Sequence, residues 1–129
     1  MKKTLDTISE KIIGAAIRVH RELGPGLLES AYEACLFFEL NSQGLKVERQ
    51  KGLPVVYRDV HLDCGYRIDL IVADQIIIEL KAIEAVEPIH KAQLLSYLKL
   101  SGCKMGLLIN FNVKLLKSGI HRMVLDLKE

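Results

Sequence analysis

Tyr66-Arg67-Ile68-Asp69-Leu70-Ile71-Val72 leads through Ala73-Asp74-Gln75 into Ile76-Ile77-Ile78-Glu79-Leu80-Lys81-Ala82. Two runs rich in β-branched residues around a short polar break read as a strand, a turn and a second strand. Side chains alternate between the faces of a sheet. Ile68, Leu70, Val72, Ile76, Ile78, Leu80 and Ala82 therefore share one apolar face, which has to lie on a core. Arg67, Asp69, Ile71, Ile77, Glu79 and Lys81 share the other. The same pattern selects the register. A turn centred on Asp74 pairs Val72 with Ile76 and sets Asp69 opposite Glu79, whereas a two-residue turn would mix the faces.

Directly opposed residues have Cβ atoms about 4.5–5.5 Å apart. Two carboxylates that close repel unless a cation or a proton lies between them. The plain reading is a half-exposed sheet whose acids are partly neutralised by Lys81. Against it, Ile71 and Ile77 flank the charges, so this face is expected to be partly covered, and buried charges need partners. The chemical reading is a hard-cation site. Asp69 and Glu79 would offer oxygens to Mg²⁺ or Mn²⁺, with the Leu80 backbone carbonyl and water completing the shell. Such an ion polarises a phosphodiester and activates water. Lys81, two residues from Glu79 and on its face, would orient or deprotonate that water or stabilise the pentavalent phosphate.

Outward from this hairpin, the chain organises itself by period and punctuation. Leu5, Ile8, Ile12, Ile13, Ala16 and Val19 recur at helical spacing over residues 5–22. Leu23-Gly24-Pro25-Gly26 breaks that helix. A second helix is expected over residues 27–42, with Leu28, Ala31, Tyr32, Cys35 and Phe38 as its apolar stripe and Gly44 ending it. Residues 47–50 and 53–57 are short strand candidates ahead of the hairpin. Pro88 suits the first turn of a third helix, which runs to Leu100 and stops at Ser101-Gly102. Residues 105–110 read as a strand, and residues 120–125 as a last one. A helix between two strands serves as a right-handed crossover joining them in parallel. The expected fold is α/β (α+β): a central mixed β-sheet flanked by helices, in a single domain over residues 1–129.

Two pairs of helical neighbours add to the hairpin. Glu29 and Tyr32 are three apart at the start of the second helix; their ordinary roles are a favourable charge at the helix N-terminus and a core aromatic. Gln93 and Tyr97 are four apart on the third helix, with His90 near the same side. They form either an ordinary polar edge or a pair that hydrogen-bonds phosphate or orients the lysine. His20 is a structural partner or a metal ligand.

Composition narrows the partners. Half of the 129 residues are hydrophobic, and 18 basic against 16 acidic side chains leave a net charge of +2. Any polyanion site must come from local clustering. The clusters Arg18/His20/Arg21, Lys46/Arg49/Lys51 and Lys114/Lys117/His121/Arg122 each read first as a solvated face. Three well-separated cysteines, Cys35, Cys64 and Cys103, point to free thiols in a reducing compartment and exclude a four-cysteine cluster within one chain. Asp6, Glu10 and Lys11 interrupt any signal-peptide core behind Met1-Lys2-Lys3, and no apolar run reaches membrane-spanning length. The expectation is a cytoplasmic chain with no membrane partner.

Gly26-x-x-Glu29-x-x-Tyr32, Tyr66-Arg67-x-Asp69-Leu70, Glu79-Leu80-Lys81-Ala82 and Gln93-Leu94-Leu95-x-Tyr97-Leu98 together resemble the GxxExxY proteins, a group within the PD-(D/E)XK nuclease superfamily. The resemblance runs from His20 to Arg122. It implies a restriction-endonuclease-like core over about residues 26–125, behind an N-terminal helix. It implies Asp69 and Glu79 as metal ligands, Lys81 as the catalytic lysine and Glu29 as a further acid at the metal. Gln93 and Tyr97 are similar to the Gln-x-x-x-Tyr element of RecB-like exonucleases. Ile68 stands where the superfamily has proline. The implied function is metal-dependent hydrolysis of nucleic acid, DNA first, with Tyr32 and Arg67 in support and His20 and His90 as weaker candidates. The rival readings are a catalytically silent module that binds nucleic acid or a protein partner, and a homo-oligomer or larger complex that encloses its substrate.

Overall fold

The computed structural model describes residues 4–125. Thr4 opens the first helix, α1 (Leu5–Leu23): its side-chain oxygen accepts from the Thr7 N–H at 3.1 Å. Ile8, Ile12, Ala15, Ala16 and Val19 fall on one face and are buried. Gly24, at φ 70°, closes the helix by donating its N–H to the His20 carbonyl at 2.7 Å. The second helix, α2 (Glu29–Ser42), starts two residues later than expected. Its stripe also differs: Tyr32, Glu33, Leu36 and Leu40 are buried, while Leu28 and Phe38 are exposed. The Tyr32 ring stacks on Phe111 at 4.4 Å, and that contact fixes which side of α2 turns inward.

Seven strands follow: β1 (Val47–Gly52), β2 (Val55–Tyr57), β3 (Val60–Leu62), β4 (Arg67–Val72), β5 (Ile76–Lys81), β6 (Met105–Asn110) and β7 (Ile120–Val124), with α3 (Pro88–Ser101) between β5 and β6. Five form a mixed sheet in the order β1-β4-β5-β6-β7, antiparallel except for the parallel β5–β6 pair that α3 connects. The strands β2 and β3 make a separate two-stranded hairpin. Val72 pairs with Ile76, the register that the face pattern requires.

Helices cover both faces. Leu70, Val72, Ile76, Ile78 and Leu80 pack with α1 and α2. Ile71, Ile77 and Leu108 pack under Leu94, Tyr97 and Leu98 of α3. One residue departs from strict alternation: Ile68 joins Ile71 and Ile77 on the α3 side instead of lying with Leu70. The register Arg49↔Leu70 and Lys51↔Ile68 skips Gln50 opposite Asp69, and Gln50 has φ 50°. With regular pairing interrupted at that point, β4 turns and carries Ile68 to the other layer.

Candidate active site

The β4–β5 ladder stops at Leu70↔Ile78, and side chains take over where it ends. The Asp69 N–H donates to Glu79 Oε2 at 3.0 Å, and the Leu80 N–H donates to Asp69 Oδ2 at 2.9 Å. Each carboxylate thus replaces a carbonyl of the neighbouring strand, which satisfies backbone donors where the strands part. Gln50 donates to Asp69 Oδ1 at 3.2 Å from the third side. Glu79 is 6% exposed. Burial, and then the charge of Asp69, push its pKa from 4.5 up to about 8, against the opposing pull of the Asp69 N–H and Lys81. On its own, therefore, the pair holds a proton on Glu79 at neutral pH.

The turn before α2 brings a third acid to this end of the sheet. The Tyr32 hydroxyl donates to the Gly24 carbonyl at 2.6 Å and accepts from the Leu27 N–H at 3.1 Å, which closes the loop over the buried ring. Glu29, first residue of α2, then accepts from the Ala82 N–H at 3.3 Å, just past Lys81, and its charge is felt at Glu79. The Gly-x-x-Glu-x-x-Tyr spacing has a local physical basis: the tyrosine pins the loop and the glutamate emerges at its end. Tyr32 itself is fully buried. His20 is buried as well, and its Nε2–H donates to the Val113 carbonyl at 2.8 Å.

The helix α3 supplies the opposite wall. Gln93 donates to the Tyr97 hydroxyl at 3.3 Å, leaving the phenolic proton free to be donated elsewhere. Burial, then the charge of Glu79, raise the Tyr97 pKa, so this phenol stays neutral beside the acids. The Tyr66 ring meets Tyr97 edge-on at 6.0 Å. His90 caps α3, its Nδ1 accepting from the Glu87 N–H at 2.8 Å. Arg67 is exposed at the start of β4 and paired with Gly52, with its guanidinium lying over the glycine.

Further residues belong to the site that the sequence reading did not single out. Glu33, 7% exposed, accepts from Arg49 at 3.1 Å and from Gln50 at 2.8 Å. Gln50 thereby bridges Glu33 and Asp69 through one amide nitrogen. The signal for Glu33 was present, since it lies one helical turn after Glu29; none existed for the left-handed Gln50. Asn110, 2% exposed, fastens the chain after β5 by donating to the Ile83 carbonyl at 2.9 Å and accepting from its N–H at 3.1 Å.

Among the described residues no three His, Cys, Asp or Glu side chains gather closely enough to hold a metal ion. The hard donors at the hairpin are two carboxylates, Asp69 and Glu79. Their mutual repulsion is what a divalent cation would relieve, so the pair fits such an ion. The fit is to Mg²⁺ or Mn²⁺ taking most of its ligands from water and substrate. None of the described helices is long and apolar enough to cross a membrane.

A search of curated proteins and a search of solved structures returned no match. The family model of the PD-(D/E)XK nuclease superfamily matches residues 6–123, which include both helices at the N-terminal end, the acidic hairpin and α3. With that match over nearly its whole length, and a mixed sheet flanked by helices, the chain belongs to the PD-(D/E)XK nuclease superfamily.

Proposed function

We infer that this chain hydrolyses phosphodiester bonds in nucleic acid, DNA first, at the Asp69–Glu79 pair, and that within its superfamily it stands with the GxxExxY proteins. The observation that carries this reading is the pair itself: two carboxylates facing each other where a ladder ends, one held at a pKa of about 8. Mg²⁺ or Mn²⁺, when bound, would polarise the phosphodiester and lower the pKa of water. Asp69, Glu79 and the Leu80 carbonyl would hold it. Lys81, which forms no ion pair among the described residues, would meet the charge that develops on the phosphate. Tyr97, kept neutral and oriented by Gln93, would donate a hydrogen bond to a phosphate oxygen, as expected for a RecB-like Gln-x-x-x-Tyr pair. Glu29 would act from beyond the ligands, through its electrostatic effect on Glu79. The three free thiols suit a reducing, cytoplasmic setting.

The test is cleavage of single- and double-stranded DNA with Mg²⁺ or Mn²⁺. Asp69→Ala and Glu79→Gln are expected to abolish cleavage while keeping the circular dichroism of the fold; full activity in both would sink the reading. In a second reading the chain is a binding module without turnover. That reading requires salt-dependent nucleic-acid binding with no cleavage under any divalent ion.

A further inference from the structure

Most basic side chains of the three sequence clusters are neutralised in the fold. Arg18 pairs with Glu39, Lys46 with Asp74, Arg49 with Glu33, Lys51 with Glu48 and Arg122 with Asp6. Arg21 from the first cluster and Lys114 and Lys117 from the third have no acidic partner among the described residues. These three, from two distant segments of the chain, line one concavity of about 470 Å³ that has no acidic residue in its wall among the described residues. The wall is fixed in place. His20 is buried and ties the Val113 carbonyl to α1 at 2.8 Å, while Gly24 is held by the Tyr32 hydroxyl at 2.6 Å.

Topology sets this concavity at the same end of the sheet as Lys81. The strands β5 and β6 are parallel, with Lys81 beside Asn110, so the segment carrying Lys114 and Lys117 leaves the sheet where Lys81 does. The Phe111 N–H donates to the Lys81 carbonyl at 2.9 Å. The other wall, Gly24 and Pro25, leads directly to Glu29, which is bonded to Ala82. Lys81 of the acidic hairpin and the segment that carries Lys114 and Lys117 thus follow the C-terminal ends of two adjacent strands.

We propose that the Arg21/Lys114/Lys117 concavity is a second, non-catalytic site that takes backbone phosphates of nucleic acid flanking the phosphate at Asp69 and Glu79. The inference rests on the nucleic-acid part of the proposed function and not on turnover. Cations that form no ion pair attract phosphate, and each phosphate so neutralised releases condensed counterions, which makes binding salt-dependent.

The experiment uses the full chain and a short fluorescein-labelled DNA duplex, with binding followed by anisotropy in EDTA so that no cleavage runs. Salt is varied between about 50 and 200 mM. Lys114→Ala/Lys117→Ala is expected to flatten the slope of log K against log salt by roughly 1.8, about 0.9 for each phosphate that no longer meets a lysine. Lys114→Arg/Lys117→Arg is expected to keep the wild-type slope. An unchanged slope in the alanine variant, or no duplex binding by wild type, would overturn the inference. So would a loss confined to anionic vesicles or to inorganic phosphate, with duplex binding intact. Failure of the catalytic reading looks different: wild type would not cleave with Mg²⁺ or Mn²⁺, yet the lysine variant would still flatten the slope.

Discussion

Burial and the facing charge of Asp69 hold Glu79 well above the ordinary carboxylate range. Its pKa is about 8 against an ordinary 4.5, so between those values the folded chain holds a proton that the unfolded chain has released. Stability falls with pH wherever the folded state binds more protons. The contribution of this carboxyl is therefore fully present below about pH 4.5 and is lost as pH rises through about 8, by at most about 1.4 kcal/mol per pH unit. Urea unfolding in EDTA is expected to show this decline, and Glu79→Gln, which cannot ionise, is expected to remove it. A wild-type stability that is flat over this window would contradict the assigned burial and the facing charge of Asp69. A cation bound at the pair must displace the same proton, so its affinity should rise as pH approaches 8.

At the scale of the element, two contacts set the walls of the site. The Tyr32 hydroxyl serves both the Leu27 N–H and the Gly24 carbonyl, so Tyr32→Phe leaves two backbone groups without that partner. The expected cost is about 1–3 kcal/mol in denaturant unfolding, with faster hydrogen exchange at Leu27. Unchanged exchange would show that the loop does not depend on this pin. On the other face, Gly106 of β6 lies under Leu94 of α3, and an added Cβ would come within 2.8 Å of a Leu94 methyl. Gly106→Val is expected to lift α3 from the sheet at a cost of about 1–3 kcal/mol. It would also disturb the Tyr97 environment, a change readable by near-ultraviolet dichroism.

For the whole molecule, α1 is part of the same core as the sheet: Ile8, Ile12 and Val19 cluster with Leu70, Ile78 and Leu107. Removal of residues 1–23 is therefore expected to abolish cooperative unfolding, and a truncated chain with a sharp transition would contradict that. The order of the main elements and the β4–β5 register were legible because period, helix-ending glycines and face pattern agree there, from Gly24 after α1 to Gly102 after α3. Other features were hidden for particular reasons. The outward turn of Leu28 and Phe38 depends on where the distant Phe111 sits. The β2–β3 hairpin turns through Arg58 and Asp59, both at positive φ, a conformation usually announced by Asn-Gly. Ile68 changed layers because of Gln50, a residue with no sequence mark of its left-handed backbone. Of the site, the facing pair was legible from strand alternation alone. The Glu33–Gln50–Asp69 chain was not, because it joins three elements through side chains.

On this account Asp69 and Glu79 together would hold a divalent cation. A calorimetric titration of Mn²⁺ into wild type and Asp69→Ala near pH 8 tests it most directly. Saturable binding in wild type that vanishes in the variant is the expected result; equal binding in both, or none in wild type, would contradict it.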